Sequence, residues 1–155
     1  RAGGYTVHDG DALSVLARMQ GASVDVISYL HVVEHCHIEY NLSVFKEVAR
    51  VLTPGGLVVI ETPSLLSLWT GSRQFYMDPT HRIPIHPELL VFCLEQVGLV
   101  HASVIRHADS RVEHVERAHL ADAATETELK RELTKLEDWL YGAMDLTVMA
   151  NKPYS

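Results

Sequence analysis

Ten of the 155 residues are histidine, the side chain whose ordinary pKa lets it take up or release a proton, or hold a metal, near neutral pH. Three of them crowd into His31-Val32-Val33-Glu34-His35-Cys36-His37. Two others flank a proline-rich stretch, His81 in Asp78-Pro79-Thr80-His81 and His86 just before Pro87. The first group fits HxxEH, the ligand spacing of one class of zinc hydrolases. Zinc in that pattern needs its ligands on a regular helix, together with a distant acidic ligand. Here two β-branched valines occupy the middle, and the first histidine follows directly on an apolar run of strand length. A zinc hydrolase is therefore the minor reading, and no metal is assigned. Glu34 and His35 read equally as a hydrogen-bonded pair that fixes a loop and as catalytic groups.

Catalytic side chains need elements to hold them, and hydrophobic periodicity supplies these. Val24 to Leu30 (VDVISYL) is apolar on both faces apart from Asp25 and Ser28, as in a buried parallel strand. Upstream, Tyr5 to His8 is β-prone, and Gly10, Asp11 and Ala12 lead into a short helix with Leu13, Leu16 and Ala17 on one face, ended by Gly21. From Glu39, the residues Leu42, Phe45, Val48, Ala49 and Leu52 recur at helical spacing opposite Lys46, Glu47 and Arg50. Thr53-Pro54-Gly55-Gly56 predicts a turn, and Leu57 to Ile60 a second buried strand. Strand, helix, turn and strand make a βαβ unit, so the fold class is α/β.

Residues 62–85 carry Pro63, Pro79, Pro84, Trp69, Phe75 and Tyr76 without a clean period, and read as a substrate or lid loop. His86-Pro87-Glu88 opens a helix whose apolar side is Leu89, Leu90, Phe92, Cys93 and Val97, capped by Gly98. Leu99 to Ile105 follows as a strand. Residues 106–124 are polar and hold His107, His114 and His119 in no clear pattern. Thr125 and Glu128 form a capping box for a helix whose Leu129, Leu133, Leu136 and Leu140 make a core or interface stripe, and Asp145 to Ala150 is a last strand.

Composition narrows the function classes. Thirteen Lys and Arg against twenty Asp and Glu leave a net charge of −7, with 47% hydrophobic and 21% charged residues. That suits one globular domain of roughly 100–200 residues. With no run of Lys or Arg, nothing draws the chain to nucleic acid or to an anionic membrane. No apolar stretch approaches the roughly 20 residues that span a bilayer, and no basic-then-apolar leader opens the chain. A cytoplasmic protein is expected. Cys36 and Cys93 lie far apart and outside any CxxC pair, as reduced thiols do.

In order along the chain, GDAL (Gly10 to Leu13), DVISYLHVVEH (Asp25 to His35), RVLTPGG (Arg50 to Gly56) and VVIETP (Val58 to Pro63) resemble the second half of a class I S-adenosylmethionine-dependent methyltransferase. FYMDPTHRIPIHPELL (Phe75 to Leu90), Gly98 and DLTVMANKP (Asp145 to Pro153) resemble a branch that modifies bacterial surface glycans. The resemblance implies a Rossmann-like sheet of strand order 3-2-1-4-5-7-6 with helices on both faces, here lacking its first strands. Residues 1–155 would then be a partial domain, with 62–85 as its substrate loop. The resemblance also implies that Asp11, with Ala12, sits by the adenine of the cofactor. Asp11 at the start of a helix equally suits a cap. Ligands of open α/β sheets lie outside the carboxyl ends of the strands, which puts Tyr29, Leu30 and His31 at the cofactor's methionine end.

Methyl transfer to a sugar hydroxyl requires the nucleophile to lose a proton, and an imidazole is the usual acceptor at neutral pH. His81 is the first candidate base, followed by His86 and His35, with Tyr76, Asp78 and Thr80 as substrate-loop residues. Pairing of His81 with Asp78 to lock the loop is the rival role. After TP the family commonly places asparagine, where this chain has Ser64. The glycine-rich GxGxG turn and the acidic residue that ends the family's second strand are absent from this chain. Weak or absent S-adenosylmethionine binding by the chain alone is therefore expected. The Val24–Leu30 strand also loses its central neighbour, so its edge should pair with a second copy or be covered by Tyr5 to His8. A catalytically inactive remnant used as an assembly module is the alternative reading.

Overall fold

The computed structural model describes residues 4, 6–107 and 123–154; Tyr5, His114, His119 and the side chain of Thr125 lie outside them. Strands β1 (Val24–Leu30), β2 (Leu52–Pro63), β3 (Val100–Arg106) and β4 (Asp145–Asn151) form one mixed sheet in the order β1-β2-β4-β3. β1 and β2 are parallel, whereas β4 is antiparallel to both β2 and β3. This is an α/β fold, and its order is the 4-5-7-6 half of the sheet that the resemblance implies. β1 is an edge, with Val26 58% and Leu30 49% exposed. Thr6 to His8 form no strand, so the expected covering by this segment is not seen there.

The core lies where the alternate residues Tyr29, Val58, Ile60, Leu146, Val148 and Ala150 meet helices α2 (Ile38–Val51) and α4 (Pro87–Gln96). Helical cover is concentrated on this face. α2 buries Val44, Phe45, Val48 and Val51 at helical spacing, as the period predicts. In α4 the buried side is Pro87, Leu90, Cys93 and Leu94. Leu89 and Phe92 are instead 42% and 56% exposed, because the stripe through Leu90, Cys93 and Leu94 turns them aside.

Four further expectations change. Thr53 to Gly56 lie inside β2 rather than in a separating turn: Val24 pairs with Leu52 and Val26 with Leu57, so β2 bulges between them. Gly55 has φ +79°, and a Cβ on Gly56 would meet the Thr53 and Asp25 carbonyl oxygens at 2.8 and 3.1 Å. The 62–85 stretch contains α3 (Leu68–Ser72) and a 3-10 turn (Gln74–Met77), both too short to show a period. Helix α5 (Ala123–Tyr141) begins before Thr125. Its Leu129 and Leu136 are exposed, so the leucine stripe is not core among the described residues.

Helix α1 (Ala12–Ala17) has six residues, too few to hold itself in water. Its C-terminal end is clamped from α2, where the Arg50 guanidinium donates to the Leu16 and Met19 carbonyls at 2.9 and 3.0 Å while paired with Glu47 at 2.7 Å. Arg50 is thus a tie between helices, not part of a solvated face.

Because the neighbours of Gly56 are backbone atoms that cannot swing aside, Gly56→Ala should destabilise the fold by about 1–3 kcal/mol. Chemical denaturation measures this, and an unchanged midpoint would contradict the close approach.

Candidate functional site

The carboxyl ends of β1 and β2 lie side by side, Leu30 paired with Glu61. Beyond β1 the chain turns at once: His31 adopts φ +49°, which imidazole side chains enter more readily than most. A 3-10 turn (Val33–His35) follows. Asn41 of α2 pins that turn by donating to the Val33 carbonyl at 2.8 Å. Asn41 is fully buried and accepts from the Tyr29 hydroxyl at 3.3 Å. Tyr29 is thereby drawn into the core, edge-on to Phe45, and burial pushes its phenol far above the ordinary value. Tyr29 is thus 7% exposed, although it stands near the carboxyl end of β1. Asn41 lies four residues before Phe45 on the apolar stripe of α2, and a polar residue at that position was the available signal.

Glu34 is fully buried and accepts from Thr62 Oγ1 at 3.2 Å. His31 bridges two carboxylates, Nδ1 lying 3.3 Å from Glu34 Oε1 and Nε2 3.1 Å from Glu61 Oε1. His107 Nε2 is 2.7 Å from Thr147 Oγ1 and 3.9 Å from Glu61 Oε2. Burial raises the pKa of Asp145 at the start of β4, and the positive charge that His31 and His107 can carry opposes the rise. Glu61, His107 and Asp145, none of them among the candidate site residues of the sequence, are brought together by three separate strand ends.

The substrate-loop residues return to this edge. The main-chain N–H groups of Arg82 and Ile83 donate to the Glu34 carbonyl at 2.8 and 3.3 Å. His81, with a side chain only 12% exposed, stacks against Phe75 and sits 4.7 Å from the His35 ring, centroid to centroid. Its Nδ1 is 2.6 Å from the Phe75 carbonyl. A carbonyl only accepts, so Nδ1 carries the proton and the neutral ring keeps its lone pair on Nε2. Asp78 Oδ2 lies 3.9 Å from that nitrogen. Asp78 is itself held by the Thr80 hydroxyl and N–H at 2.6 and 2.8 Å, and these bonds hold its carboxyl below the usual range. Tyr76 is exposed beside Phe75.

His81 also lines a cavity of about 190 Å³ with Pro63, Thr70, Gln74, Phe75, Met144 and Asp145. In two of these lining residues the atoms Thr70 Oγ1 and Gln74 Oε1 are buried without a hydrogen-bond partner among the described residues. His86 stands outside this group. Its Nδ1 accepts from the Glu88 N–H at 3.3 Å and caps α4. The HxxEH residues do not share a helix, since His31 ends a strand and His35 a 3-10 turn.

Asp11 caps α1. It accepts from Ser14 N at 3.1 Å, Ser14 Oγ at 2.5 Å and the Tyr40 hydroxyl at 3.0 Å, bonds that pull its pKa down to about 2. The cap is thus occupied, and the carboxylate remains exposed and ionised. That donor set fits the adenine end of S-adenosylmethionine, which presents an amine donor. Ala12 is half-buried beside it.

A family model described as a methyltransferase domain matches residues 2–60. No curated protein matches the chain. Among solved structures, a SAM-dependent methyltransferase from Archaeoglobus fulgidus superposes with a TM-score of 0.83 at 25% identity, covering 97% of this chain and 69% of that one. A SAM-dependent methyltransferase from Thermotoga maritima gives 0.61 at 14%, covering 96% of this chain and 65% of that one. Phosphoethanolamine N-methyltransferase 2 of Haemonchus contortus, in complex with S-adenosylmethionine, gives 0.57 at 15%, with 92% and 36% covered. The last two share the fold. The chain is thus similar over residues 2–60 to the methyltransferase-domain family and over nearly its whole length to the archaeal SAM-dependent methyltransferase. No helix among the described residues is long and apolar enough to cross a membrane.

The lowered Asp11 pKa has a definite sign. The cap contributes stability above the ordinary value of 3.8 and loses it as pH falls through about 2. The Ser14 hydroxyl is the largest cause. Ser14→Ala should therefore move the Asp11 titration, followed by carboxyl NMR, upward toward 3.8. A midpoint that stays near 2 would contradict this cap.

Proposed function

We propose that the chain is the acceptor-side part of an S-adenosylmethionine-dependent methyltransferase that acts on a hydroxyl of a glycan or glycan precursor. The observation that carries this reading is the cavity beside His81, whose lining includes the polar residues Thr70, Gln74 and Asp145. Side chains of these types hydrogen-bond a ligand that presents hydroxyl groups. S-adenosylmethionine, when bound, supplies a methyl group on a sulfonium whose departing thioether needs no proton. Asp11 and Ala12 would hold its adenine end, with Leu30 and His31 flanking the methionine end.

The remaining work falls to the chain's own side chains. The cavity orients the acceptor, and alignment is the larger part of catalysis for such a displacement. His81 takes the hydroxyl proton at Nε2, and the Asp78 carboxylate 3.9 Å away favours the imidazolium that results. Thr80 holds His35 beside it through a 2.9 Å contact to Nδ1. Tyr76, exposed on the same segment, offers a ring face to a sugar. His86 is left as the cap of α4.

A second reading has its own observation. The β1 edge offers unpaired backbone together with exposed Val26 and Leu30, a template for another strand. In this reading the chain assembles through that edge as a homodimer, whether or not it is active. Light scattering should then report a dimer that Val26→Lys converts to monomer; a monomer before substitution removes the reading.

For catalysis the test is a panel of sugar acceptors, methylated by a protein that carries this chain with a glycine-rich cofactor turn. His81→Ala should lower kcat by about 10²–10⁴-fold with little change in KM. An unaltered kcat would remove His81 as the base, and methylation of amines alone would remove the hydroxyl acceptor.

A further inference from the structure

The imidazoles of His35 and His81 are prepared in the same way by different neighbours. Thr80 donates its hydroxyl hydrogen to Asp78 Oδ1 at 2.6 Å, so toward His35 Nδ1, 2.9 Å away, its oxygen can only accept. His35 therefore carries its proton on Nδ1, as His81 does against the Phe75 carbonyl. Both neutral rings are left with a lone pair on Nε2. A carboxylate or carbonyl system behind the ring N–H is also how proteins orient metal-binding histidines.

The third member is Glu34. Ligand atoms of Glu34, His35 and His81 all lie within 4.8 Å of one another. Atoms that share one ion sit roughly 3–3.5 Å apart at metal–ligand distances near 2.1 Å, so small side-chain rotations close the set. The Glu34 carboxylate forms no ion pair with a Lys or Arg among the described residues. Its side-chain contacts are the Thr62 hydroxyl and the His31 imidazole. A fully buried carboxylate is costly without a compensating charge, and a cation supplies one.

We propose that Glu34, His35 and His81 form a binding site for a divalent transition ion of the zinc or cobalt type. Two imidazoles and one carboxylate match the preference of such ions over magnesium or calcium, which favour all-oxygen sets. Three protein ligands leave at least one coordination position open. His31 is not a ligand, so the site differs from the HxxEH pattern of the sequence, and it replaces the assignment of no metal made there. His81 lines the acceptor cavity, so the open position is available to an oxygen held there. An ion at that position would bind the acceptor hydroxyl and lower its pKa, so that the hydroxyl proton passes to solvent water instead of to His81 as the methyl group is transferred. This use rests on the methyl-transfer reading; the ion site itself does not.

Titration of the full chain with Co2+, followed by visible absorption and without any methyl donor, tests the site apart from the enzyme activity. One saturable equivalent is expected, displaced by Zn2+. Glu34→Gln and His81→Gln should each weaken binding at least about 10-fold, and Thr80→Val, which removes the group behind His35, about 10-fold. His8→Ala, at an exposed histidine outside the cluster, should leave binding unchanged. Circular dichroism checks that each variant is folded, and Thr80→Val on the exposed loop keeps the test open should His81→Gln unfold. Absence of saturable binding, or equal binding by the folded Glu34, His81 and Thr80 variants, overturns the proposal.

Discussion

A charge taken wholly out of water has to be met by fixed partners, and where it is met decides where the chain can go. Glu34 imposes that constraint here. Its side chain reaches Thr62 near the end of β2 and His31 at the end of β1, while its carbonyl accepts from Arg82 and Ile83. One residue thereby joins both parallel strands to the returning 62–85 segment. His81 arrives beside His35 because the residue next to it is stitched to Glu34.

The polar groups gather at one end of the sheet. Glu61 and Asp145 belong to strands β2 and β4, which run in opposite directions, and His107 follows β3. Their meeting at the carboxyl end of the parallel pair agrees with the general rule that open α/β sheets place ligands there. The antiparallel β4 matters in this respect, because it delivers its first residue, Asp145, to the place where β2 delivers its last, Pro63. The cavity draws on both, with Pro63 and Asp145 in its wall.

The strands and the two main helices were legible because each carries a local signal. β1 is a β-branched run, α2 repeats at helical spacing, and α4 opens on His86-Pro87 and is followed by Gly98, at φ +89°. Contacts of longer range leave no such local signal. Pro54-Gly55-Gly56 has turn chemistry, yet pairing with β1 keeps it inside a bulged strand. Tyr29 sits at the ligand end of β1, yet Asn41, twelve residues on, holds its hydroxyl inside. Likewise, of the site, DPTH was visible as a motif, but the His35–Thr80 contact spans 45 positions and leaves no periodic trace. The leucines of α5 have the right spacing for a buried stripe, and only the described packing places Leu129 and Leu136 in solvent.

Arg50 gives the fold one more property. Its guanidinium ties the end of α1 to α2, and Asp11 with Tyr40 ties the beginning, so both ends of a six-residue helix are held by a longer one. α1 has no fully buried residue of its own. Its order is borrowed from α2 through both ties, Arg50 at its end and Tyr40 on Asp11 at its beginning. Helix α1 is thus a unit of low local stability attached to a longer helix. The placement of the Asp11 carboxylate is therefore coupled to the folding of this six-residue helix.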